Sequence, residues 1–181
     1  MVVIGIDPGP ESSAYVAWDG ENVVVHGEMD NRLLLCAMPD GLYVGPIPSV
    51  IAIEQIRGFG VLAGDKLFDT CFWTGRFVQA WGENVCRLVP RKKVIAHLCG
   101  TGARGNDRFV REALIARIGE PGTKKAPGAT YGISSHRWSA LAVAVTYLDL
   151  FAASGGRVNG HTTSTKRAPV RMWMWDAYDH R

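Results

Sequence analysis

"VVIGIDPGPESSAYVAW", residues 2 to 18, opens on an apolar run, ends that run on a single carboxylate, Asp7, and breaks at once with Pro8, Gly9 and Pro10. A second β-type run, "SAYVAW", follows the break, and a third, "NVVVHG", follows that across "DGEN", a turn sequence of the hairpin kind. The first 27 residues therefore predict an antiparallel meander of three strands. Alternate residues of a strand share a face, so Asp7 lies beside Gly5 and Val3, while Ile4 and Ile6 point the other way.

Outward from this stretch, residues 28 to 48 are rich in turn formers (Pro39, Gly41, Gly45, Pro46, Pro48) and read as a short helix or an irregular connection. "SVIAIEQI", residues 49 to 56, is a second buried strand that carries an acid, Glu54, near its end. After Gly58, Gly60 and Gly64 a helix runs to about Trp81, with Leu67, Phe68, Cys71, Phe72, Val78 and Trp81 near a helical stripe. "NVCRLVP" predicts a fifth strand, "RKKVIAHL" a short helix, and "CGTGARGN" a basic, glycine-rich loop. "DRFVREALIARIG" predicts a helix capped by Asn106 or Asp107 and ended by Gly119, and after a loop "SSHRWSALAVAVTYLDLFAAS" predicts a long last helix. The order is that of an α/β protein, a mixed sheet covered by helices. Residues 1 to 155 make one domain on this reading, and residues 156 to 181 a basic, aromatic-containing tail.

A chain of 181 residues, 47% hydrophobic, is long enough for one substantial core. No apolar run approaches the roughly 18 residues of a membrane span, and the first residues read as a strand rather than a basic leader, so a cytoplasmic protein without membrane contact is expected. Cys36, Cys71, Cys86 and Cys99 are widely spaced and resemble no zinc or disulfide framework. The net charge of +3 hides an asymmetry: residues 1 to 90 balance at −6 and residues 91 to 181 at +9. The basic half suggests a polyanionic partner.

Glu54 shares its strand face with Ala52 and Val50, as Asp7 does with Gly5 and Val3. Each acid thus ends one of the two most apolar strands with a small residue behind it on the same face. Were those strands parallel neighbours, both carboxylates would meet at the carboxyl edge of the sheet, where open α/β sheets place their ligands. Two carboxylates that close resist ionising together unless a cation intervenes, and oxygen-rich clusters suit Mg²⁺ or Mn²⁺. Taken singly, Asp7 is also an ordinary turn former before Pro8, and Glu54 an ordinary solvated strand end.

"GIDPG" followed by a meander, then "IAIEQ", then a final helix opening "SHRWSALAVAVTY" resemble, in that order and spacing over residues 1 to 152, the RuvC family of Holliday junction resolvases within the ribonuclease H-like superfamily. The resemblance implies a ribonuclease H-like fold: a mixed five-stranded sheet, three strands as an antiparallel meander plus two parallel strands, flanked by helices. It implies a divalent-metal-dependent DNA endonuclease that cuts branched junctions, with two ions per site. Asp7 would bridge them, Glu54 would help hold one, and His136 falls on the third ligand position, at the start of the last helix. The fourth position is Ser139, where the pattern wants a carboxylate. Asp107 is a candidate substitute, and Arg104 or Arg108 matches a basic residue that the family carries nearby.

Hydrolysis of a phosphodiester needs an activated water on one side of phosphorus and charge relief at the leaving oxygen on the other, which paired ions can supply. His136 could bind metal, or orient or deprotonate the water. Backbone phosphates would meet Arg57, Arg91, Lys92, Lys93, Arg104, Arg108, Lys124 and Lys125, and Phe59, between two glycines, could wedge into an unstacked base step of a four-way junction. RuvC-like enzymes act as dimers, and Trp73 and Phe77, off the apolar stripe, are expected to face a second copy. The alternatives are a weakened module that binds branched nucleic acid without cutting, and a ribonuclease H acting on RNA/DNA hybrids. An actin-like phosphotransferase is disfavoured by the short chain and the lack of a second phosphate loop.

Overall fold

The computed structural model describes residues 1–37, 50–56, 64–103 and 106–154, apart from the side chain of Ala152. The C-terminal tail, and with it the expected boundary at residue 155, lies outside the described residues.

β1 (Val3–Asp7), β2 (Ser12–Trp18) and β3 (Val23–Asp30) form the meander. β3 runs on to Asp30, beyond the Gly27 read from the sequence, because Glu28, Met29 and Asp30 still pair with Ala14, Ser13 and Ser12 of β2. The β2–β3 turn is held by Asp19, whose carboxylate accepts the backbone N–H groups of Glu21 and Asn22 at 2.8 and 2.7 Å. The short helix expected after the meander is α1 (Asn31–Ala37), entered without a break.

β4 (Val50–Gln55) pairs with β1 in parallel, Val3 opposite Val50 through Ile6 opposite Ile53. β5 (Cys86–Pro90) pairs in parallel with β4, which gives the strand order β3-β2-β1-β4-β5. This is the mixed five-stranded sheet expected from the sequence, with β1 and β4 side by side at its centre.

Helices cover both faces. α1 and α2 (Asp65–Trp81) lie on one, where Leu34, Phe77 and Trp81 pack with Ile4, Ile6, Ile51 and Ile53. α3 (Arg91–Cys99), α4 (Asp107–Ile118) and α5 (Arg137–Ala153) lie on the other, and Val94, Val110 and Leu114 pack there with α5, Val3 and Ala52. α5 is apolar around most of its circumference because it is enclosed: every residue from Ala140 to Thr146 is fully buried. Among the described residues no helix is long and apolar enough to cross a membrane.

The face of α2 that packs on the sheet differs from the stripe read in the sequence. Phe68, Cys71 and Phe72 are exposed, while Thr70, Phe77 and Trp81 are buried and Trp73 is half-buried. Trp73 and Phe77 are therefore not spare residues for a partner. Phe77 stacks on Trp81, one turn on, with ring centroids 4.6 Å apart. The buried row is hidden in the sequence because it opens on a threonine, Thr70, and continues through the half-buried Thr74. Each satisfies its hydroxyl on a carbonyl one turn back, Thr70 on Lys66 at 2.7 Å and Thr74 on Thr70 at 2.8 Å, so neither carries an unpaired polar group inward.

The four cysteines are free thiols, as expected. Cys86 is buried, which pushes its thiol up to about 11.

Candidate active site

The parallel register of β1 and β4 carries both acids to the carboxyl edge of the sheet, Asp7 as the last residue of β1 and Glu54 as the next to last of β4. Both side chains are largely covered, with 17% and 12% of their surface exposed. Burial raises the pKa of Asp7, against the lowering influence of His136 and Arg91. Burial likewise pushes Glu54 up to about 7, opposed by Arg91 and reinforced by the negative charge of Asp7. Two adjacent, poorly hydrated carboxylates are a site that gains from a cation.

The loop after Asp7 is fastened by a buried polar network. Ser13 Oγ donates to Asn31 Oδ1 at 2.6 Å, Asn31 Nδ2 donates to the Gly9 carbonyl at 2.9 Å, and Gly9 N–H donates to Ser13 Oγ at 3.3 Å. Asn31 N–H also donates to the Glu11 carbonyl at 2.9 Å. Sequence reasoning missed Ser13 and Asn31. The only signal was a Ser and an Asn at the ends of apolar strands, and that does not reveal that they meet across 18 residues.

His136 sits one residue before α5, rather than in its first turn, and its carbonyl accepts the Ala140 N–H at 3.1 Å. Its Nδ1 lies 3.1 Å from Asp7 Oδ2, and its side chain is 69% exposed. With Nδ1–H donating to Asp7, the tautomer leaves the Nε2 lone pair free for a ligand or a proton. The close approach of α5 to β1, Ala140 and Ala144 against Gly5, brings His136 to Asp7.

Arg91 begins α3 directly after β5 and reaches back into the site. One guanidinium nitrogen lies 3.2 Å from Glu54 Oε2 and 3.4 Å from Ser139 Oγ, and the other pairs with Asp107. Asp107 is not the cap of α4; Asn106 is, its side chain accepting the Phe109 N–H at 3.1 Å. The structure thus gathers Asp7, Glu54, His136, Ser139 and Asp107, with Arg91 among them.

Beside this cluster a cleft of about 300 Å³ opens between the starts of α4 and α5, lined by Arg108, Arg111 and Trp138 together with Arg91, Asp107, His136 and Ser139 of the cluster; Asp7 and Glu54 lie behind its wall rather than on it. Arg111, which sequence reasoning passed over, lies 5.3 Å from the centre of the Trp138 ring. Arg108 is exposed and pairs with Glu112 one turn on, at 2.8 Å. Lys92 and Lys93 are exposed on the first turn of α3, and Lys124 and Lys125 sit at the tip of a small loop closed by the Gly122–Pro127 bridge. Arg57, Phe59 and Arg104 lie outside the described residues.

For a divalent ion, the donors present are the oxygens of Asp7 and Glu54 and the imidazole of His136. Among the described residues no three His, Cys, Asp or Glu side chains converge as a ready-made metal cluster; Glu54 is paired with Arg91 and Asp7 with His136. Two carboxylates at one sheet edge with an imidazole on one of them are nevertheless oxygen and nitrogen donors of the kind a hard divalent ion takes.

No protein-family model matches the chain, and no curated protein matches it. Solved structures do. The chain is similar to Thermus thermophilus RuvC, at 19% identity and a TM-score of 0.62, over 86% of this chain and 97% of that one. It is similar to the same protein solved in complex with Holliday junction substrate, at 18% identity and a TM-score of 0.60 with the same coverage. With its central β1–β4 pair, its meander and its α5 laid across them, this chain has the ribonuclease H-like fold of RuvC.

Proposed function

We propose that this chain is a divalent-metal-dependent, structure-selective DNA endonuclease that resolves four-way junctions. The observation that carries the reading is the pairing of Asp7 and Glu54 at the carboxyl edge of two central parallel strands, both poorly hydrated, with His136 on Asp7.

Asp7, Glu54 and His136 would hold Mg²⁺ or Mn²⁺. The chemistry an ion would supply there is activation of water and charge relief at the leaving oxygen of a phosphodiester. His136 would either ligate the ion in place of its Nδ1 bond to Asp7 or, keeping that bond, which fixes its tautomer, accept the proton of the attacking water at Nε2. Arg108 and Arg111, on the wall of the adjoining cleft, would receive backbone phosphates, and Lys92, Lys93, Lys124 and Lys125 would extend that track. Arg57 and Phe59 follow Glu54 closely in sequence and would contact the junction itself.

Symmetric cutting of a junction calls for paired sites, and a homodimer is part of this reading. Its candidate surface is the outer face of α2, where Phe68 and Phe72 are 64% and 61% exposed and Arg76 lies over the rings of Phe72 and Trp73. A nuclease of cellular DNA would work in the cytoplasm of a bacterial or phage-infected cell, where its thiols stay reduced.

A second reading, a module that binds branched nucleic acid without cutting it, is favoured by Ser139 in place of an acid and by Arg91 on Glu54. Nicking of a labelled four-way junction beside matched duplex and RNA/DNA hybrid, in Mg²⁺ and in Mn²⁺, separates the readings. Junction-selective, metal-dependent cuts that vanish in Asp7→Asn are expected. Binding without cutting by the wild type, with cutting gained in Ser139→Asp, would establish the binding module, and preferential cutting of the hybrid a ribonuclease H.

A further inference from the structure

Arg91 is the member of the cluster that ordinary phosphate contact does not explain. A residue that meets DNA from solution keeps its head group in water, but this side chain is only 19% exposed and turns inward. β5 pairs with β4 so that Pro90 stands opposite Gln55, which starts α3, and Arg91 with it, at the same sheet edge as Glu54. From there the guanidinium contacts three other elements: Glu54 of β4, Ser139 of α5 and Asp107 of α4. These are the acid beside Asp7, the hydroxyl that stands where the RuvC-like pattern wants a carboxylate, and the candidate substitute for that carboxylate.

The charges are complementary. Replacing a carboxylate by Ser139 takes a negative charge from the site, and Arg91 adds a positive one at the same place. A divalent ion on that side would face a fixed cation at contact distance and would have to take Glu54 Oε2 and Asp107 from it. On the other side stand Asp7 and His136, bonded to each other; the guanidinium bonds go to Glu54, Ser139 and Asp107, and Arg91 acts on Asp7 through its charge.

We propose that the Arg91 guanidinium takes the place of a second metal ion in this site, so that each chain binds a single divalent ion, on the side of Asp7 and His136. This rests on the reading of the site as a metal-dependent nuclease. The planar fork suits the task, because it can present two N–H groups to phosphate oxygens as an ion would present two coordination positions. Asp107, 88% exposed, is the partner a phosphate would displace, whereas Glu54 Oε2 and Ser139 Oγ keep the fork in place and leave Glu54 its other oxygen for the ion.

The test is a count of bound Mn²⁺ on the purified full chain, from the loss of the free-ion electron paramagnetic resonance signal during titration, alongside a junction nicking assay. About one equivalent is expected for the wild type, lost in Asp7→Asn, and about one for Arg91→Lys, which keeps the charge. Arg91→Met combined with Ser139→Asp, checked for folding by its circular dichroism melt, is expected to bind two. Two equivalents on the wild type would overturn the inference and leave the metal-nuclease reading standing. A count that stays at one in a folded double variant would also overturn it. No bound Mn²⁺ and no metal-dependent nicking, or an equivalent that survives Asp7→Asn, would overturn the reading of the site and the inference together. The wild-type count decides even if the double variant fails to fold.

Discussion

A Cβ built on Gly5 of β1 would come within 2.0 Å of the carbonyl oxygen of Ala140 in α5 and 2.9 Å of the Ala144 Cβ. The helix that carries Ser139, and has His136 just before it, can lie against the strand that carries Asp7 only because Gly5 has no side chain. Gly5→Ala is therefore expected to destabilise the fold by about 3 kcal/mol, the upper range for overpacking a tight core. Equilibrium denaturation measures this. Because the displaced helix start holds part of the site, junction binding and nicking should fall together in any fraction that stays folded.

Glu54 makes the metal-free protein less stable at neutral than at acid pH. Its ordinary value of 4.5 is pushed up to about 7 in the folded state, first by burial and then by Asp7. The folded state thus holds a proton that the unfolded chain has released, and stability falls as pH rises from 4.5 to about 7. The loss attributable to this group is on the order of 2–3 kcal/mol. Melting temperatures in chelator across that window should show it, Glu54→Gln should flatten the slope, and Mn²⁺ should restore stability at the neutral end.

Asn31 is fully buried and answers to Ser13 and the Gly9 carbonyl at once. Asn31→Ala strands both and should cost about 2 kcal/mol. Since the same bonds fasten the loop that follows Asp7, the variant should also bind Mn²⁺ more weakly than its stability loss alone explains. Titration at a temperature where it remains fully folded separates the two effects.

Phe72 tests the proposed dimer. It is exposed, and its ring meets Trp73 edge to face at 5.9 Å without entering the core. Phe72→Glu should leave the melting temperature of the fold within about 0.5 kcal/mol equivalent, as for other surface changes. Sedimentation equilibrium should show it shift from dimer to monomer. A wild type that sediments as a monomer at the same concentrations would remove the α2 face as a dimer contact.

What the sequence by itself determined is what short-range periodicity can encode. The alternation of "VVIGID" and "IAIEQ" places Asp7 and Glu54 on one face, behind Gly5 and Ala52, and the turn at "DGEN" makes the meander antiparallel. The order of elements and the "GIDPG", "IAIEQ" and "SHRWSALAVA" segments led to the right sheet and to the right neighbourhood for His136. The buried face of α2 was not legible, because Thr70 and the half-buried Thr74, which bond to their own helix, stand on it while Phe68 and Phe72 stand outside it. Nor was the place of Arg91, which in sequence is one more basic residue in "RKK". Its partners, Glu54, Asp107 and Ser139, stand 37, 16 and 48 residues away. Only the parallel pairing of β5 with β4, together with the packing of α4 and α5, brings that charge to theirs, because an ion pair is set by distance in space and no local pattern of residues records it.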